Sequence, residues 1–425
     1  MNYSEFLNMV PEFALVVSLL IVFCVDFICP RCGTDRTKMM NILASLLLVG
    51  TAVVSATSEP TSAFGGIYVT SQAINVMKAI LAFGSLIVVV MANPWVEKNW
   101  KHAGEFYMLI ISTLLGMFVM MSSGSFLMFF LGLEMASVPL ACMVAFDRDR
   151  KESAEGAAKY ILVATFSSGV MLFGISFIYA ATGTLYFDDV ATVVTGSPLC
   201  IMGLVFFFSG LGFKISLVPF HFWTADTYQG APTPVTGYLS VISKGAAAIT
   251  LCTILMKAFA PMVEYWNYML YIVIVLSITV ANMAVFTVIN VVEQNNNGRT
   301  DMAAYNGFYQ TNPKLSFLMT LALFSLAGIP PFAGMFSKFF VFMAGVQDGD
   351  PMAYAVVFIA LVNTVVSLYY YLLIVKAMYI TKTDSPLPTF QSDSSSKIAL
   401  AVCTAGIALF GVVSCIYEWI AAAGL

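Results

Sequence analysis

Twelve stretches of this chain are apolar for long enough to cross a lipid bilayer, and that constrains its fold more than any other feature. They lie at about 10–29, 40–56, 76–93, 106–121, 125–146, 159–182, 200–223, 235–257, 265–292, 315–344, 353–380 and 398–420. A spanning helix needs about 20 predominantly apolar residues, and in hydrocarbon only helices and closed barrels satisfy every backbone N–H and C=O. Barrel strands alternate apolar and polar residues, whereas Phe106–Met121 is almost continuously apolar, which argues for helix. The expected fold is all-α: a polytopic membrane protein of about 12 transmembrane helices.

Composition excludes the main competitors. The chain is 60% hydrophobic and only 10% charged, whereas soluble domains average about 25% charged residues. A soluble enzyme and a disordered chain are therefore excluded. With 19 Lys and Arg among 425 residues there is no basic footprint for a nucleic acid. Cys29 and Cys32 form a CxxC pair at the end of the first span. No second ligand pair or βαβ context accompanies it, so it reads as two ordinary thiols. Glu5 and Glu12 stand where a signal peptide would be basic, so the first span is expected to be retained.

The positive charges give an orientation. Loops after odd-numbered spans hold Arg31, Arg36, Lys38, Lys98, Lys101, Arg148, Arg150, Lys151, Arg299, Lys314, Lys382 and Lys397. On the other side only Lys78 and Lys257 appear, read as helix-edge residues. By the positive-inside rule both termini face away from the cytoplasm.

Five basic residues remain within the spans. Lys159 and Lys376 lie near cytoplasmic ends, where a long side chain can snorkel. Lys214, Lys244 and Lys338 are central, as is Glu134, while Asp26 lies in the inner half of the first span. Each central charge costs at least about 2.5–3.5 kcal/mol on insertion scales. Glu134 reads as an acid that tunes a neighbouring lysine, or as a polar staple between helices. Lys214 precedes Pro219 and His221 in GLGFKISLVPFH. Proline breaks the helix there, and His221 lies seven residues beyond Lys214, two turns along roughly the same face. Hydroxyls flank Lys244 in SVISKG and could hold water. Lys338 follows Pro330 and Pro331 in AGIPPFAGMFSK. Paired interrupted spans point to an inverted-repeat transporter with its site at the midplane. Walker loops, GxGxxG and HExxH are absent, and the two histidines are too far apart for haem or metal ligation.

The stretches FLGLEMASVPL, GLGFKISLVPFHFWTADTYQGAPTPV and SLAGIPPFAGMFSKF closely resemble the antiporter-like membrane subunits of respiratory complex I, the proton-translocating NADH-quinone oxidoreductase. The resemblance runs through nearly the whole chain, including YYYL near Tyr369 and the polar loop at Asn295. It implies a subunit of the bacterial cell inner membrane that moves protons while other subunits carry the electrons. FMN, iron–sulfur clusters and quinone would belong to those subunits, and no cofactor is expected in this chain. Its partners would be the other membrane-arm subunits and the lipid bilayer. Residue by residue, the resemblance implies that Glu134 pairs with Lys214, that Lys244 is the central lysine of the eighth helix, and that Lys338 is the lysine of the second broken helix. It also matches Lys159 to a family lysine, with Glu155 as its partner one turn earlier. Pro219 and Pro331 mark the two breaks, and His221 supports the first.

The family implied by this resemblance carries about fourteen helices, two more than are read here. The shortfall of roughly 50 residues lies between Tyr271 and Asn295, with the join near Val280–Ala281. The expected organisation is a three-helix segment at 1–105, a first antiporter-like repeat at 106–258, a second repeat at 259–380 truncated near 280, and a C-terminal helix at 381–425. Two other functions share these motifs: a cation/proton antiporter subunit of the Mrp type, and a non-transporting structural subunit in which the missing helices interrupt the path.

Overall fold

The computed structural model describes residues 3–28, 34–98, 102–267, 269–270, 305–330, 332–347 and 349–381, with isolated residues between 383 and 406. Cys29, Cys32, Pro331, the join at Val280–Ala281, most of the ninth expected span and the end of the twelfth lie outside them. Among the described residues the protein is an all-α polytopic membrane protein, with nine helices long and apolar enough to cross a bilayer. Two compact units cover Met1–Asn267 and Tyr268–Ala422.

In the first unit α1 (Val10–Ile28) and α2 (Thr34–Thr57) are followed by a two-stranded hairpin, β1 (Ser62–Ala63) and β2 (Tyr68–Val69), paired antiparallel with Ala63 opposite Tyr68. Next come α3 (Gln72–Lys98), α4 (Ala103–Met121), α5 (Phe126–Val144) and the 32-residue α6 (Lys151–Thr182). Serine caps open two of the spans. Ser125 accepts a hydrogen bond from the Met128 amide at the start of α5, and Ser197 accepts one from Cys200 ahead of a first-turn Pro198.

The outer surface of the bundle, unlike that of a soluble protein, is apolar, as is its core. Phe27, Leu46, Leu162 and Phe166 are exposed apolar side chains, as expected where lipid is the solvent. The core lies around α4, where Phe106, Tyr107, Ile110, Leu114 and Phe118 are fully buried. Helices in lipid associate by close packing through small residues. A Cβ at Gly116 would meet the Ala136 amide at 2.4 Å, and one at Gly132 the Met120 amide at 2.4 Å. The crossing of α4 and α5 thus admits only glycine at these two points.

The seventh expected span is two helices. It comprises α8 (Pro198–Ile215), preceded by the short α7 (Phe187–Val193), and α9 (Phe222–Gly230). Ser216 turns into the left-handed region at φ 64°, and a cis Val218–Pro219 bond follows. The helical spacing that would put His221 on the face of Lys214 does not hold, because residues 216–221 are not helical. The next span runs from α10 (Thr233–Gly237) through a π-helical turn at Tyr238–Ser243 into α11 (Lys244–Lys257). Such turns carry one extra residue and recur at functional positions.

In the second unit α12 (Pro313–Ala327) ends on Gly328 at φ 81°, α13 (Ala333–Gln347) restarts the span, and α14 (Pro351–Tyr379) follows. Its core gathers Phe308, Leu323 and Met378. The broken spans differ in one respect: Lys214 precedes its break, whereas Lys338 follows its own.

Two charges stand elsewhere than expected. Lys78 is not a helix-edge residue; it is 0% exposed and ion-paired to Glu12. Arg36 is no free loop cation either, being buried against Asp26.

Candidate functional site

The site is built around the first break. Lys214, in the last turn of α8, is 3% exposed. Its ammonium donates to the Ser137 hydroxyl on α5 at 2.9 Å and to the Tyr160 hydroxyl on α6 at 3.0 Å, and lies 5.7 Å from the Tyr160 ring centroid. Two of its three N–H groups are thus satisfied and the ring face takes part of the charge. Glu134 does not pair with Lys214 in this state. It accepts from the Ser168 hydroxyl, and no ion pair among the described residues joins it to the lysine. Ser137 lies three residues beyond Glu134 on α5, so hydroxyl and carboxylate are neighbours on one helix face.

Tyr160 also connects Lys214 to the next lysine. Its ring meets Trp223 with centroids 5.1 Å apart, and Trp223 meets Tyr228 at 6.3 Å. The Lys244 ammonium sits over the Tyr228 ring, 5.0 Å from its centroid. Trp223 is fixed by an indole N–H donated to the Phe213 carbonyl at 3.1 Å, which ties α9 across the break to α8. The Tyr228 hydroxyl is buried without a hydrogen-bond partner among the described residues. Lys214 and Lys244 therefore lie at the two ends of a Tyr160–Trp223–Tyr228 line. Of the hydroxyls expected to serve Lys244, that of Ser240 turns back to the Gly237 carbonyl.

The remaining expected residues lie off this line. His221 stands at the start of α9, stacked on Phe222 at 4.6 Å, with Nδ1 buried and unpartnered among the described residues. Lys159 pairs with Glu155 at 2.6 Å, one turn earlier, and also with Asp226 on α9 at 2.6 Å. All three carboxylate and ammonium groups are half-exposed. Lys338, in the second unit, donates to the Ala327 carbonyl at 3.0 Å. It thereby caps the C-terminal end of α12, where the helix dipole favours a cation.

Sequence reasoning passed over Ser137, Tyr160, Tyr228 and Asp226. Ser137 and Tyr160 are unremarked types in apolar helices and carried no signal of their own. Tyr228 and Asp226 belong to the quoted WTADTYQG stretch, where an acid beside a membrane-embedded lysine could have been matched by charge.

Sequence and fold comparisons place the chain in a family. A family described as NADH:quinone oxidoreductase/Mrp antiporter, TM matches residues 123–285 and 279–367. NADH-quinone oxidoreductase subunit N of Phocaeicola vulgatus is 47% identical over 470 residues, covering 98% of each chain.

The chain belongs to the subunit N group of that family.

Subunit N of Rhodospirillum rubrum is 30% identical, covering 94% of this chain and 93% of its own. A chain of respiratory complex I from Thermus thermophilus is 25% identical with a TM-score of 0.75, covering 95% of this chain and 97% of its own. A chain of the Mrp complex of a Dietzia species shares the fold at 16% identity, TM-score 0.74, covering 92% of this chain and 82% of its own. The first family segment contains Glu134, Lys159, Lys214, His221 and Lys244, and the second contains Pro331 and Lys338. The segments meet at 279–285, where the sequence reads as joined. The Phocaeicola alignment is longer than this chain, so that relative carries residues that this member of the family lacks.

Proposed function

We propose that this chain is a proton-translocating membrane-arm subunit of an NADH-quinone oxidoreductase, held in the bacterial inner membrane with both termini away from the cytoplasm. The observation that carries the reading is the line from Lys214 through Tyr160, Trp223 and Tyr228 to Lys244. Burial disfavours a charged lysine, and a nearby carboxylate restores it. Glu134 is one helical turn from the serine that now holds Lys214. A shift of the ammonium from Ser137 to Glu134 would favour the protonated lysine, and its return would favour proton release toward Lys244. Lys338 is the next station in this scheme. The repeats at 106–258 and 259–380 supply the two broken helices. Flavin, iron–sulfur and quinone chemistry stay with the partner subunits, whose redox cycle drives the shift.

The test is Lys214→Ala, and separately Glu134→Ala, in the assembled complex. NADH-driven proton uptake into inverted vesicles should fall at least tenfold in each, with the complex intact on a native gel. Wild-type uptake in both variants would overturn the assignment. Sodium-dependent proton flux without NADH would instead mark a cation/proton antiporter. A structural role is the reading favoured by the residues missing relative to the Phocaeicola chain; it predicts that Lys338→Ala changes neither assembly nor uptake.

A further inference from the structure

The most deeply buried ion pair among the described residues plays no part in the scheme above. Lys78, in the second turn of α3, is fully buried, with its ammonium 2.6 Å from Glu12 Oε1 in the first turn of α1. The Tyr68 hydroxyl on β2 donates to Glu12 Oε2 at 2.8 Å and lies 3.4 Å from the same ammonium. Ser122, which ends α4, donates to Glu12 Oε1 at 3.3 Å. Four elements thus converge on two charges at the end of the bundle where α1 and α3 begin.

A cavity of about 180 Å³ reaches this cluster at Tyr68, where Asn8, Glu59, Thr61 and Asn75 line it beside the apolar Leu7, Val10 and Pro11. That is room for several waters at about 30 Å³ each. Asn75 lies one turn before Lys78 on α3; its amide nitrogen donates to the Ser58 carbonyl, while its buried Oδ1 has no partner among the described residues. A buried carbonyl oxygen beside a cavity that also carries other polar side chains calls for water. Tyr68 is shared: it lines the cavity and holds Glu12.

In the other direction, Ser85 lies seven residues beyond Lys78 on the same face of α3, about 10 Å along the axis. It is fully buried and donates to the Leu81 carbonyl at 2.8 Å, near the Tyr238 hydroxyl, which accepts from Thr113 at 2.9 Å and donates to the Ile110 carbonyl at 3.3 Å. Tyr238 opens the π-helical turn that leads into Lys244.

We propose that Glu12, Lys78 and Tyr68 form a proton-exchange station linking the Lys244 region to the aqueous cavity, an inference that rests on the proton transport proposed above. A proton arriving along Ser85 and water neutralises Glu12. The carboxyl then hands it to the Tyr68 oxygen as Tyr68 gives its own proton to cavity water, so the phenol is neutral before and after. Burial and the Glu12 carboxylate push the Tyr68 phenol far above its ordinary pKa, consistent with a hydroxyl that exchanges protons without standing ionised. Lys78 keeps Glu12 ionised between transfers.

The experiment uses assembled complex in inverted vesicles, with proton uptake and NADH oxidation read together. Tyr68→Phe removes only the shared hydroxyl, and should leave NADH oxidation in uncoupled vesicles near wild type while lowering uptake at least fivefold. The neutral pair Glu12→Gln/Lys78→Met should do the same; if it fails to assemble on a native gel, Tyr68→Phe decides. Wild-type uptake in Tyr68→Phe overturns the station. Lys214→Ala runs in parallel: lost uptake there beside normal uptake in Tyr68→Phe rejects the station alone, and normal uptake in both rejects the proton transport on which it rests.

Discussion

At the residue scale, the lysine-to-lysine line is narrowest at Tyr228, whose ring carries Lys244 while its buried hydroxyl has no partner among the described residues. Removing an unsatisfied buried hydroxyl costs little or no stability. Tyr228→Phe should therefore keep the melting temperature of the complex and lower proton uptake several-fold, measured by differential scanning fluorimetry and by a pH-sensitive dye in vesicles. Asp226 makes the opposite prediction. Its pair with Lys159 is half-exposed, and exposed pairs contribute little. Asp226→Asn should leave both melting temperature and proton uptake unchanged in the same assays. What was legible here follows from chemistry for Lys214, Lys244, Lys338 and Glu134, which stand out because ionised groups in hydrocarbon are costly. The Glu155–Lys159 pair is instead implied by the family resemblance, and fits their four-residue spacing on one helix. Tyr160 and Asp226 reach their partners through space, from elements distant in sequence, and no local spacing announces that. His221 was misplaced for a related reason, since helical periodicity was carried through a break that ends it.

At the element scale, apolar length gave the spans and proline gave the breaks, because lipid leaves the backbone few alternatives to helix. The serine-capped starts of α5 and α8 were equally open to sequence reading. The π-helical turn and the two-residue strands were not, for they depend on what packs around them. The α4–α5 crossing gives a direct test. Gly132→Ala places a Cβ 2.4 Å from the Met120 amide, and the helices must separate. A loss of about 1–3 kcal/mol should appear as a lowered melting temperature and reduced incorporation into complex. Gly328→Ala forces a left-handed residue, at about 1–2 kcal/mol, and crowds the Lys338 side chain, 2.9 Å from the new Cβ.

At the scale of the whole molecule, the positive residues sort the loops into two sides, even though Lys78 and Arg36 are spent inside the protein. The sorting survives because most of the remaining basic residues fall on one side. With native cysteines replaced by serine, Asp149→Cys should react with a membrane-impermeant maleimide from the cytoplasmic side only, and Ser62→Cys from the opposite side only. Reversal of both would invert the orientation. The shortfall expected near 280–281 comes from the family resemblance and not from charge, since losing an even number of spans leaves the downstream charge pattern in phase.

The π-helical turn at Tyr238–Ser243 sets where Lys244 points. One residue in an α-helix is about 100° of rotation, so an extra residue immediately before the lysine fixes its bearing toward the Tyr228 ring. Deleting Ser240 would remove the surplus residue and leave Lys244 on its present bearing, whereas closing the bulge with the residue kept would swing Lys244 away by about that angle. Moving the surplus residue one turn onward would do so with the same number of backbone hydrogen bonds. The bearing of this charge is thus a matter of winding, adjustable by sliding a fault along the helix rather than by tilting the helix itself.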